Sequence, residues 1–250
     1  MIIPSNSIGC VAGFEPFSPS GLVIHVDANN RNSYSGSGTA WIDLSGLNNN
    51  FTLTNSPTFG TVNNGSYFQF NGTNSYALCP TNASYNALTT MTTEILFADD
   101  NISGTQALYG DGSGVIGANQ GFGVVVSSTG GGVIGTRDAT AFSGASITAT
   151  WRYSAGSYLW NHYVITWTVS GSTVSGNWYL NNSAPTAWTV SRNSISSTSP
   201  LSIAARPGSG SALTAFFSGR IALFRMYNKI IDTNEITRNY NQYKSRYGLP

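Results

Sequence analysis

The chain has 250 residues, with 11 lysines and arginines against 10 aspartates and glutamates and a formal net charge of +1. Charged residues make up 8% of it, far below the roughly 25% of an ordinary soluble domain, and aromatics at 12% exclude a disordered chain, which would lack such core formers. No basic patch of the kind a phosphate backbone attracts is present, which excludes nucleic-acid binding, and no run approaches the roughly 20 apolar residues of a membrane span.

Residues 1–20 combine Pro4, Pro16 and Pro19 with apolar Ile2, Ile3, Val11, Phe14 and Phe17. Prolines interrupt both ladders and helices, so this segment predicts an extended N-terminal arm. Its start lacks the basic residues and apolar run of a secretory signal. Apolar side chains in an arm call for a partner, either the domain itself or a neighbouring subunit.

From Gly21 onward the pattern is one of many short strands. Leu22–Val26 is apolar and ends at an Asp27–Arg31 turn; Trp41–Leu44, Phe51–Leu53, Tyr67–Phe70, Tyr76–Leu78 and Met91–Phe97 follow at short spacings. Segments 105–110, 121–126 and 132–136 are glycine-rich and read as strands with bulges or hairpins. The clearest strand is 158–169, where Tyr163, Ile165, Trp167 and Val169 fall on one side and Trp160, His162, Val164 and Thr166 on the other. Trp178–Leu180, Trp188–Val190, Leu201–Ala204 and Phe216–Tyr227 complete an all-β set whose strand density points to a sandwich or barrel.

One C-terminal helix is expected. Asp232 stands at an N-cap position with Glu235 three residues later, and Ile231 with Ile236 has the spacing of a hydrophobic staple. Ile236, Tyr240, Tyr243 and Tyr247 then form one face, and Gly248 with Pro250 stops the helix. Six basic residues crowd this end of the chain (Arg220, Arg225, Lys229, Arg238, Lys244 and Arg246) and read as a solvated helix face plus sheet edges. Cys10 and Cys79 permit one disulfide but make no framework; Cys79, at the end of an alternating strand, behaves as a small apolar residue if it is free.

The stretch GLVIHVDANNRNSYSGSGTAWIDLSGLNNNFTLTNSPTF resembles the opening of laminin-G-like, concanavalin-A-like domains of bacteriophage and bacterial surface proteins. FNGTNSYALC, LWNHYVITW and FFSGRIALFRMYNKIIDTNEITRNYNQYKSRYGL are similar to later segments of that family, in the same order, and the resemblance covers about residues 21–249. It implies a two-sheet antiparallel jelly-roll sandwich over 21–250, with the helix at its C-terminus and the arm at 1–20. It also implies a non-enzymatic virion structural protein, a capsid-decorating or fibre-type subunit with an adhesive sandwich. Its partners would be other virion proteins or further copies of itself, reached through the arm in a homo-oligomer, and a cell-surface glycan is a further candidate. A stand-alone lectin-like module is the alternative, and a glycoside hydrolase a second one.

The carboxylates are few enough to weigh one by one. A glycosidase needs two across the scissile bond; the related β-glucanases carry them on a Glu-x-Asp-x-x-Glu strand, and nothing here matches it. Glu94 is the only glutamate in a core strand, and a hydrolase would have to pair it with Asp99 or Asp111. Asp27 and Asp43 sit in turns where a side-chain oxygen bonds nearby amides, Asp232 and Glu235 serve the cap, and Glu15 belongs to the arm. Asp99, Asp100 and Asp111 remain as candidate oxygen ligands for Ca²⁺, which related domains often hold at the sandwich rim; no cofactor is required. His25 and His162 read as packed or edge histidines, and without a Gly-x-Ser-x-Gly elbow no serine nucleophile stands out. No ligand-binding residue is identifiable at this level.

Overall fold

In the computed structural model, the described residues are 19–100, 104–111, 121–127, 132–137, 142–147, 158–191, 195, 199–208 and 212–250. Most of the expected arm, residues 1–18, therefore lies outside the described residues, as do Cys10 and Glu15. The elements run β1 (Leu22–Asp27), β2 (Ala40–Trp41), β3 (Phe51–Thr54), β4 (Thr58–Val62), β5 (Gly65–Asn71), β6 (Tyr76–Cys79), α1 (Ala83–Asn86), β7 (Thr90–Asp99), β8 (Thr105–Gly110), β9 (Gly121–Ser127), β10 (Gly132–Arg137) and β11 (Phe142–Ile147). They continue with β12 (Trp160–Ser170), β13 (Thr173–Leu180), β14 (Thr186–Val190), β15 (Leu201–Ile203), β16 (Arg206–Pro207), β17 (Leu213–Thr214), β18 (Ser218–Tyr227) and α2 (Thr233–Tyr247).

Two antiparallel sheets face each other. The first has the order β14-β13-β12-β7-β18-β5-β4, with β1 also paired to β18; the second runs β11-β10-β9-β8-β15-β6-β3-β2, and β16–β17 is a small separate hairpin. The all-β sandwich expected from the strand pattern is thus what the chain forms. Its glycine-rich segments are strands β8, β9 and β10, with a register shift between Ala107 and Tyr109.

The period-2 pattern of the sequence explains how the layers pack. Tyr163, Ile165 and Trp167 of β12, Ile95 and Phe97 of β7 and Phe224 and Met226 of β18 bury against Phe51, Leu53, Tyr109, Phe122 and Val124 of the second sheet. Cys79 joins this core as a free, fully buried thiol, and burial pushes its pKa up to about 12. The alternate residues of the same strands, Leu96, Ala98, Trp160 and Leu223, lie under Tyr240, Tyr243 and Tyr247 of α2. The helix thus covers the outer face of the first sheet with the stripe the sequence predicts.

The capping box is complete: Glu235 N–H donates to Asp232 Oδ1 at 2.8 Å and Asp232 N–H donates to Glu235 Oε2 at 3.0 Å. Gly248 closes the helix at φ 66°, a left-handed conformation that glycine adopts without steric cost. The short α1 was not expected from sequence. Four residues are too few to show a helical period, and its signal is confined to Asn82, whose side chain accepts from Ser84 N–H.

Candidate functional site

Two turn carboxylates do what their positions suggest. Asp43 Oδ1 accepts from the amides of His25 (2.8 Å) and Ser45 (2.9 Å), and its Oδ2 accepts from Asn49 N–H (2.9 Å) and Ser45 Oγ (2.6 Å). One side chain thereby ties β1 to the 43–49 turn. Asp27 Oδ1 accepts from Asn29 N–H at 2.8 Å.

Glu94 is not in a cleft. It is wholly buried beneath α2, with His162 Nε2 at 2.8 Å from its Oε1, Asn239 Nδ2 donating to its Oε2 at 2.9 Å and Arg225 Nη1 3.5 Å from the same oxygen. Arg225 stands directly opposite Glu94 on the neighbouring strand and donates through Nη2 to the Tyr243 hydroxyl. Burial pushes the Glu94 carboxyl up, but the Arg225 charge and the bonds from His162 and Asn239 outweigh it and hold it below the usual carboxylate range. Arg225 thus departs from the expected solvated basic surface: it is 1% exposed, because its partner lies on a strand remote in sequence. The cluster fixes how the helix seats on the sheet.

The three candidate calcium ligands are spread over both sheets. Asp99 ends β7 opposite Gly219, and strand alternation sets it on the side of Ile95 and Phe97, away from Glu94. Asp100, the next residue, is half-buried and accepts from Gln69 Nε2 at 3.4 Å. Asp111 follows β8 in the second sheet, where its Oδ1 accepts from Phe122 N–H at 2.9 Å. Burial, only partly offset by that amide, raises its carboxyl well above the ordinary value. Among the described residues no three His, Cys, Asp or Glu gather so as to hold a metal ion, and calcium remains an expectation from sequence alone.

What the tertiary structure does assemble is a groove of about 430 Å³ between the outward-facing residues of β6 and the β16–β17 hairpin. Ala77 and Cys79 of β6 point into the core, so Tyr76 and Leu78 face outward. There they meet Pro207, Leu213 and Phe216. The rings of Tyr76 and Phe216 are both half-exposed, 6.2 Å apart between centroids and inclined by 39°. Phe216 also borders a second, polar depression of about 480 Å³, lined by Asn71, Thr73, Thr105, Gln106 and Ser218. Among the described residues, no charged side chain lines either space.

The rim is preorganised by local chemistry. Asn71 Oδ1 accepts from the amides of Thr73, Asn74 and Ser75 at 2.9, 3.0 and 3.1 Å, a side chain taking the place of backbone in a tight turn. Asn55 Nδ2 donates to Asn74 O at 2.8 Å, tying two rim segments together. Left-handed conformations at Asn55 (φ 55°), Ser56 (φ 52°), Ala204 (φ 64°) and Ala215 (φ 53°) accompany this region. For alanine such a conformation is uncommon and strained, and it persists only where the surroundings enforce it. Here Ala107 N–H donates to Ala215 O at 2.7 Å and Phe217 N–H to Ala204 O at 2.9 Å.

The sequence alone does not reveal this site. Phe216 reads as the first residue of a strand, but β18 begins at Ser218, leaving Phe216 in the groove. The one local signal was Asn-Gly-Thr-Asn at 71–74, a turn motif that says nothing of what lies beside it.

No protein-family model and no curated protein matches the sequence. Solved structures do resemble the fold. Trypanosoma rangeli sialidase in complex with the inhibitor DANA superposes with a TM-score of 0.59 at 18% identity, over 88% of this chain and 33% of that one. The binding domain of botulinum neurotoxin DC in complex with SialylT gives 0.63 at 13% identity, over 90% and 52%. The binding domain of Paraclostridial Mosquitocidal Protein 1 gives 0.63 at 18%, over 92% and 55%. The chain therefore spans between about a third and just over half of these neighbours' lengths. At such identities the likeness defines an architecture alone, a β-sandwich.

Proposed function

We propose that the chain is a non-enzymatic binding module that holds a glycan in the groove around Phe216. The observation that carries this reading is the pairing of two half-exposed rings, Tyr76 and Phe216, with a rim of amides and hydroxyls and, among the described residues, no charge. A sugar offers an apolar ring face and a fringe of neutral hydroxyls, and a concave site with an aromatic floor and a few fixed polar groups matches both. The described carboxylates support the non-catalytic reading, because none lines the groove while hydrolysis of a glycosidic bond requires two. Fold neighbours add support of a general kind: the botulinum neurotoxin DC binding domain is found with SialylT and also with rat synaptotagmin II.

The resemblance noted in the sequence supports a virion role for this module, as a capsid-decorating or fibre-type subunit of laminin-G, concanavalin-A-like kind. It would be assembled as a homo-oligomer through the arm at 1–20. Glycan binding and structural assembly are compatible, since the groove lies in the domain and the arm precedes it.

A glycan array probed with the wild type and with Phe216→Ala tests the module. The wild type is expected to bind at least one neutral or acidic oligosaccharide, and Phe216→Ala to weaken it by about tenfold or more, the worth of one well-placed aromatic contact. Silence of the wild type across the array overturns the reading. Loss of particle incorporation on deleting residues 1–20 is the outcome expected for the virion role.

A further inference from the structure

Arg220 lies on the outward side of β18, opposite Gln69 of β5, and is half-buried. Its guanidinium carbon is 3.2 Å from the centroid of the Tyr158 ring and 4.5 Å from that of Tyr67, and its Nε donates to Gln69 Oε1 at 2.9 Å. Both rings are held in place. Tyr67 lies over Gly60, where even a methyl group would come within 2.7 Å of the ring. Tyr158 has φ 42°, a left-handed conformation that is a genuine outlier for a bulky residue and marks a constrained position.

Among the described residues, this clamp engages only the guanidinium's face and its Nε. Among the described residues, neither terminal nitrogen of Arg220 has a hydrogen-bond or ion-pair partner. Asp100 is nearby, through its 3.4 Å contact with Gln69, yet forms no ion pair with Arg220. A planar fork with two free donors, fixed in orientation, matches a carboxylate, which accepts two parallel N–H bonds.

The position relative to the groove is what gives this meaning. Asn71 and Ser218 are paired across the same two strands, one step further along the outward side, and both line the polar depression beside Phe216. Two residues of strand amount to about 7 Å, roughly the step from one sugar ring to the next. We propose that Arg220, just beyond the lining of that depression, is a carboxylate-binding subsite at its edge, recognising an acidic sugar of a glycan whose neutral portion lies in the depression beside Phe216. The proposal deepens the glycan-binding reading and rests on it.

The test uses tetragalacturonate and a hyaluronan hexasaccharide, each as the free acid and as the methyl ester, titrated calorimetrically into the full chain. At least one free acid is expected to bind, its ester to bind about 10- to 100-fold more weakly, and Arg220→Gln to lose the same factor for the acid alone, the range of a charge-assisted hydrogen-bonded contact. Arg220→Lys, which keeps the charge but not the fork, should fall between. Asp100→Asn, which leaves the clamp intact, should bind the acid more tightly. Equal binding of acid and ester, an Arg220→Gln variant as tight as wild type, or no binding of any free acid overturns the proposal. A neutral glycan lost only in Phe216→Ala would then leave the groove reading standing without it.

Discussion

His162 Nε2 and Glu94 Oε1 meet at 2.8 Å across neighbouring strands, 68 residues apart in sequence and both wholly buried. Around them, Arg225, Asn239 and Tyr243 join sheet and helix in one polar network inside an otherwise apolar contact. Such a network tolerates little change, because each member is the compensation for another's desolvation.

Glu94→Gln keeps the shape and removes the charge, depriving the buried Arg225 of the carboxylate that stands opposite it. The expected cost is about 3–5 kcal/mol, the range for breaking a buried pair from one side. Urea denaturation followed by tryptophan fluorescence would measure it, and a loss below about 1 kcal/mol would mean that the pair contributes little to folding.

Acid should destabilise the domain through two buried groups that act in the same direction. The folded Glu94 carboxyl is held below its ordinary value, so its contribution is present above the normal carboxylate range and is lost as pH falls through the depressed value. Burial, and then the charge of Arg225, lowers the His25 imidazole from 6.5 to about 2. Below about pH 6.5 the unfolded chain therefore takes up a proton that the folded chain refuses. Asp27 and Asp111, whose carboxyls burial raises, oppose this trend, so the informative quantity is a difference between variants. The melting temperature of the wild type should fall more steeply than that of His25→Phe between pH 6.5 and 4.5; parallel curves would count against a neutral buried His25.

Asp43→Ala removes the acceptor of four hydrogen bonds, one from the His25 amide of β1 and three within the 43–49 turn, from the amides of Ser45 and Asn49 and the Ser45 hydroxyl. Leaving these donors without a partner is expected to cost about 2–4 kcal/mol. Amide hydrogen exchange should show the loss of protection beginning at His25 and Asn49.

Gly176 and Gly171 make a matched pair. A Cβ at Gly176 would lie 1.7 Å from the carbonyl oxygen of Thr166, whereas nothing stands within 4 Å of one at Gly171. Gly176→Ala must therefore push β13 off β12 and is expected to destabilise by about 3 kcal/mol or more. Gly171→Asn, at φ +56° where asparagine is tolerated, should cost less than about 1 kcal/mol. Thermal melts of the two variants side by side decide the matter.

Much of the architecture was legible before the fold was known, for local reasons. Alternation in β12 assigned Tyr163, Ile165 and Trp167 to one face and Trp160, His162 and Val164 to the other, and the layers divide them in that way. The Asp232–Glu235 box and the Ile236–Tyr240–Tyr243–Tyr247 stripe gave the helix its start and its buried face. Arg225 and Phe216 differ from that reading because neither position depends on its own neighbourhood: Arg225 is buried by its cross-strand partner Glu94, and Phe216 is left half-exposed in the groove because β18 starts two residues later.

By itself, then, the chain's pattern of alternating apolar residues, turn residues and caps determined a β-sandwich with a docked C-terminal helix, since those signals act over a few residues. Which strands became neighbours was decided only on folding, and with it the groove of Tyr76 and Phe216, the clamp on Arg220 and the buried pairing of Glu94 with His162. Each of these depends on groups brought together from distant parts of the chain, whose distances exist only once both sheets have closed on one core.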